Sequence, residues 1–133
     1  MKKFTKILAL TLVLVMSVVM LASCGGPNAD PEKAAKALED NDYTVRSDKT
    51  LVPMISALIG IEDLETVVTA GKIDDEFDGI TIFYFEDKDA ANDAWEKVEK
   101  YFEDEVDEDA KWTVKKSGAM IYAGSEAAIK AAK

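Results

Sequence analysis

The chain has 133 residues, 48% of them hydrophobic and 32% charged, a globular composition that excludes a disordered or collagen-like chain. It contains no histidine and a single cysteine, Cys24, so no disulfide can close within it. Serine–histidine and cysteine–histidine hydrolysis are excluded, as are histidine-ligated zinc, haem and non-haem iron.

Charge is distributed unevenly along the chain. Lys2, Lys3 and Lys6 are the only charged residues before Asp30, and all 26 acidic residues follow. Without the first 23 residues, 110 remain, with 13 basic and 26 acidic groups and a net charge of −13. Such a surface repels phosphate backbones and anionic headgroups, so nucleic acid is not an expected partner.

The chain opens with MKKFTKILALTLVLVMSVVMLASCGG. The three lysines form a positive start that stays on the cytoplasmic side of a membrane. Ile7 to Met20 is an uncharged apolar run of the length found in a secretory signal. Read instead as a permanent membrane span, Ile7 to Ala22 covers only 16 residues, short of the ~20 that cross the hydrocarbon, and it ends in Ser-Cys-Gly-Gly rather than at a charge.

Leu21-Ala22-Ser23-Cys24, closing this run, resembles the lipobox of bacterial lipoproteins. The resemblance implies diacylglyceryl transfer to the Cys24 thiol and signal cleavage between Ser23 and Cys24. It also implies that two acyl chains hold the new N-terminus at the outer face of the cell membrane. At ~0.8 kcal/mol per buried CH₂, two long chains make a stable anchor. Acylation would leave the mature domain without a thiol to oxidise or ligate. The implied organisation is a signal peptide over 1–23, a lipidated tether over 24–29, where glycine and proline break regular structure, and one domain over 30–133.

Asp30 suits the cap of a first helix, with Pro31 at its first position and Glu32 complementing the dipole. Ala34, Ala35 and Leu38 fall on one face of it, and Asn41-Asp42 ends it before a strand at Tyr43-Thr44-Val45. Leu51, Met54, Ile55, Leu58 and Ile59 predict a short apolar helix over 51–59, closed by Gly60. Thr66 to Ala70 reads as a strand and Lys72 to Gly79 as a polar loop. Ile80 to Phe85 is apolar on both alternating faces, the pattern of a central strand covered on both sides.

Asp87 or Asp89 then caps a helix in which Ala91, Ala94, Trp95, Val98, Tyr101 and Phe102 recur at three- and four-residue spacing. Asp93–Lys97 and Glu96–Lys100 are its expected supporting pairs. Trp112 and Val114 alternate with lysine and threonine as in a strand wet on one face. Ser117-Gly118 signals a tight turn into a partner strand over Ala119 to Ala123, and Ser125 caps a last helix. The expected fold is α+β, a mostly antiparallel sheet of about five strands with helices packed on one face, preceded by the cleaved signal helix. Residues 80–133 resemble short uncharacterised lipoproteins of Gram-positive bacteria, a group that implies no activity.

Several constellations of polar residues bear on chemistry. Asp74, Glu76, Asp78 and Gly79 have the spacing of a calcium loop, but its twelfth position is Phe85 rather than glutamate, which rejects an EF-hand. Glu103 to Asp109 is expected to fray, because acid at a helix C-terminus opposes the macrodipole. Pairs of carboxylates lie close by chance in so acidic a chain and do not specify glycoside hydrolysis. No nucleophile-elbow, Ser-x-x-Lys or phosphate-cradling pattern occurs.

Large aromatics are expected in the core, with Tyr84 and Tyr122 as the favoured exceptions, since a tyrosine can keep its hydroxyl wet. The stretch 51–61 is expected to pack inside, and any exposed part of it would mark an envelope-protein partner site. No catalytic, metal or cofactor residue is assigned. Function is expected to be that of a non-catalytic binding or accessory module of the cell envelope. The alternatives are a divalent-metal enzyme using carboxylates and a passive spacer.

Overall fold

The computed structural model describes residues 26–47, 49–106 and 108–133; the signal segment, the lipobox and Cys24 lie outside the described residues. Helix α1 (Pro31–Asp40) opens with Pro31 in its first turn, and its cap, the Asp30 side chain, accepts from the Glu32 N–H; it buries Ala34 and Leu38. Strand β1 (Thr44–Ser47) follows. A 3₁₀ turn, Lys49–Leu51, leads into α2 (Val52–Ile59), which stops at Gly60 in the left-handed conformation, φ 80°. Strands β2 (Leu64–Lys72) and β3 (Asp75–Phe85) form a long hairpin.

Helix α3 (Lys88–Glu105) is capped by Asp87, which accepts from the Ala90 N–H at 2.8 Å. After a 3₁₀ turn at Glu108–Ala110 come β4 (Thr113–Ser117), a turn through Gly118 at φ 59°, and β5 (Met120–Gly124). Helix α4 (Glu126–Ala131) is capped by Ser125.

The sheet is antiparallel throughout, in the order β1-β2-β3-β5-β4. Strand β3 is central, with Ile82 opposite Val68 on one side and Tyr122 on the other. The expectation of helices on one face is corrected: helices cover both faces. Val68, Ile80, Ile82, Tyr84, Met120 and Tyr122 pack with Ala34 and Leu38 of α1 and Ala128 of α4. Val67, Phe83, Phe85, Ile121 and Ala123 pack with Ala91, Ala94, Val98 and Phe102 of α3, and with Val52, Ile55 and Ile59 of α2. The cause lies in β3, whose odd and even residues are both apolar, so either face left in water would expose a hydrophobic row. A register shift between Leu64 and Thr66 puts Leu64 and Val67 on the same face.

Two other expectations change. The loop expected over Lys72 to Gly79 shrinks to the turn Ile73-Asp74, because Lys72 already pairs with Asp75 and Gly71 with Gly79. The acidic side chains there project from a hairpin whose backbone ladder continues past the apolar run. Helix α3 reaches Glu105 despite its acidic end, because Phe102 is buried and Val106 packs on the same core while its N–H caps the Phe102 carbonyl. Lys97, expected to pair with Asp93, donates to the Gly60 carbonyl at 2.8 Å and so ties α3 to the end of α2. Among the described residues no helix is long and apolar enough to cross a membrane.

Candidate functional site

On the face carrying α2 and α3, α3 packs on β3, β4 and β5 and α2 packs on β2, and the outer half of the β2–β3 hairpin is left open. The result is a groove of about 440 Å³, within the range of small-molecule sites. Its floor is Val67 and Phe83, each 1% exposed, continued outward by Thr69 and Thr81, which face each other in register. Ile55 of α2 closes one side. The last turns of α3 supply Tyr101, Phe102 and Glu105, followed by Val106 and Ala110, and Phe77, Glu76 and Trp112 form the opposite wall.

The walls are held by specific contacts. Trp112 Nε1 donates to the Phe77 carbonyl at 2.6 Å, which fastens the approach to β4 against the hairpin. Phe102 stacks on Phe83 with ring centroids 5.4 Å apart, and Tyr101 meets Phe102 edge-on at 5.5 Å. Gly79 makes the approach of Trp112 possible. A Cβ there would stand 3.2 Å from the indole and 2.7 Å from the Ala70 carbonyl oxygen.

The groove grades from a dry floor to a wet acidic rim. Phe83 and Phe102 are buried; Phe77, Tyr101, Trp112 and Ile55 are half-buried; Glu76 and Glu105 are exposed. Burial, then the nearby Glu105 carboxylate, pushes the Tyr101 hydroxyl above its ordinary pKa of 10.0, so it remains a donor at neutral pH. Among the described residues the lining holds no lysine, arginine, serine or cysteine. Its polar groups are the hydroxyls of Thr69, Thr81 and Tyr101 and the carboxylates of Glu76 and Glu105.

The acidic run that suggested a calcium loop is divided among different partners. Asp75 accepts from the Phe77 N–H at 3.0 Å, and Glu76 reaches the groove rim. Asp78 sits on the other face, accepting from the Tyr43 hydroxyl at 2.7 Å and the Ser125 hydroxyl at 2.8 Å, with Lys72 at 3.9 Å. This contact set fastens α1's following loop, β3 and the start of α4 together. Among the described residues no three carboxylates or thiols converge to hold a metal ion.

Tyr84 and Tyr122, the favoured exceptions to core packing, are each 5% exposed and pack in the core, which corrects that expectation. Tyr84 donates its hydroxyl to the Asn28 carbonyl at 2.8 Å and needs no water. The apolar stretch at 51–61 is divided: Val52, Ile55 and Ile59 pack inward, whereas Met54 is 61% and Leu58 71% exposed. No local sequence motif marks Phe77, Thr69 or Thr81 as groove residues. Their signal in the sequence is alternation, since Val67/Thr69 and Thr81/Phe83 place apolar and polar groups on one face of paired strands.

Residues 26–28, within the expected tether, are docked on the α1/α4 face. Pro27 is buried, Asn28 N–H donates to the Ala132 carbonyl at 2.8 Å, and the Asn28 side chain donates to the Lys133 carbonyl at 3.4 Å. Gly26 lies against Tyr122, where a Cβ would be 3.1 Å from the hydroxyl. The first described residues and the groove are therefore on opposite faces of the sheet. Comparison of the chain with protein-family models, with curated proteins and with solved structures finds no match.

Proposed function

We propose that the protein is an extracytoplasmic lipoprotein, anchored through diacylglyceryl-Cys24, whose domain is a non-catalytic binding module with the groove as its site. The observation that carries this reading is the separation of the two ends. The segment leading from Cys24 docks through Asn28 on one face of the sheet, and the open groove lies on the other. A domain held by the first face presents the second away from the bilayer. The lipobox Leu21-Ala22-Ser23-Cys24 supplies the anchor, and the strong negative charge keeps the domain off anionic headgroups. The make-up of the lining supports recognition rather than turnover.

The anchor is tested by growing cells on an alkyne-bearing fatty acid. The full chain should take up the label and fractionate with membranes, and Cys24→Ala should do neither. Equal labelling of both would reject the lipoprotein reading. The binding role is tested by turnover and crosslinking: a reproducible reaction of the purified protein, lost on a point substitution in the groove, would reject the non-catalytic assignment.

A further inference from the structure

We infer that the groove receives an organic ammonium ion, its apolar body on the floor of Val67 and Phe83 and its cationic head between Glu76 and Glu105. The inference rests on the groove being the binding site proposed above. It is argued from charge and from the kinds of surface that meet there. Among the described residues two carboxylates line the groove and no basic side chain does. Lys72, the cation closest to Glu76 in sequence, lies 3.9 Å from Asp78 and 4.9 Å from the Tyr43 ring centre. Both partners belong to the opposite face of the sheet, so Lys72 does not neutralise the rim. A ligand with a carboxylate or phosphate would meet Glu76, Glu105 and the field of a domain carrying −13.

Exposed carboxylates alone hold a cation weakly, and a small inorganic ion would make no use of the floor. The aromatic walls change this. Tyr101 and Trp112 are half-buried beside the acidic rim, and aromatic faces attract ammonium groups, more strongly where water is excluded. Tyr101 stands one helical turn before Glu105 on α3, so ring and carboxylate lie on the same stripe of that helix. A ligand that satisfies the floor, the rings and the rim together must be both apolar and cationic.

Three ring-matched probes separate these contributions: benzyltrimethylammonium, neutral benzyl alcohol and anionic phenylacetate. Each is titrated into the full chain in neutral-detergent micelles, using Trp95→Phe so that Trp112 is the only tryptophan. Amide and indole NMR shifts of the unsubstituted protein provide a second readout should that variant fold poorly. Benzyltrimethylammonium should change the Trp112 signal saturably and bind about fivefold to tenfold tighter than benzyl alcohol, with no saturable change from phenylacetate. Glu76→Gln with Glu105→Gln should erase that advantage, whereas Glu99→Gln, on α3 but outside the lining, should retain it. Equal binding of the neutral or anionic probe, or an advantage that survives loss of both rim carboxylates, would overturn the ammonium inference while leaving the groove a binding site. No saturable change with any probe would overturn it as well, and crosslinking in cells would then decide the binding-module reading separately.

Discussion

The Tyr84 hydroxyl donates to the Asn28 carbonyl at 2.8 Å, joining the C-terminal end of the central strand to a residue four positions after Cys24. Tyr84 is 5% exposed, so its ring seals the face on which the N-terminal segment lies. Tyr84→Phe removes the donor and leaves a part-buried carbonyl without its partner, at a cost of about 0.5–1.5 kcal/mol. Denaturant unfolding of the full chain should report that loss. Limited proteolysis should show faster cleavage around Gly26 to Asn28, and an unchanged cleavage pattern would indicate that this contact does not hold the segment down.

Gly79→Ala tests how the groove wall is built. The added methyl would lie 2.7 Å from a backbone oxygen and 3.2 Å from the Trp112 indole, and the backbone oxygen cannot move aside easily. Overpacking of this kind costs about 1–3 kcal/mol. Loss of stability should come with a red-shifted Trp112 emission as the indole leaves the Phe77 carbonyl. Stability loss without that shift would mean that the wall tolerates the methyl and the hairpin pairing does not.

Alkaline pH should destabilise the fold through its tyrosines. Burial, then the hydrogen bond to Asp78 and the charges of Asp78 and Asp75, raise the Tyr43 pKa well above the ordinary 10.0. Burial, then Asp30, does the same for Tyr84, and burial alone raises Tyr122. The folded state then holds these protons where the unfolded state has released them. Their contribution is complete below pH 10 and is lost as pH rises through the folded pKa values, at up to ~1.4 kcal/mol per pH unit for each tyrosine. Denaturant midpoints across this window should fall, and Tyr43→Phe or Tyr84→Phe should flatten the dependence.

Helix α2 separates packing from surface. Ile55→Ala removes a side chain that packs on the core and lines the groove, and should cost about 2 kcal/mol, at the low end for such truncations because the site is only half-buried. Leu58→Ser, at a position 71% exposed, should stay within about 0.5 kcal/mol of the parent. A large loss from Leu58→Ser would mean that this residue is covered in solution.

The order of helices and strands was legible because its signals are local. Asp30, Asp87 and Ser125 cap helices, Gly60 ends one, and Gly118 turns a hairpin, each through its own backbone or side-chain geometry. Placement of helices on both faces was half legible: the two apolar faces of Ile80 to Phe85 required cover on each side, but connection lengths do not say which helix goes where. The groove was not legible. It depends on where α3 ends relative to the hairpin, and on the contact of Trp112 with Phe77, residues separated by 35 positions. Tyr84 misled for a related reason, since its partner is the Asn28 carbonyl, far away in the chain.

The most direct test of an anchored domain that binds through its groove is site-specific photocrosslinking in living cells. A benzophenone side chain replaces Phe77 in the groove wall or Lys36, exposed on α1 across the sheet, in the full chain with and without Cys24→Ala. The account predicts a discrete crosslinked product or a protected photoprobe at position 77, none at position 36, and loss of the envelope product when Cys24 is replaced. Identical behaviour at the two positions, or a position-77 product indifferent to Cys24, would contradict it.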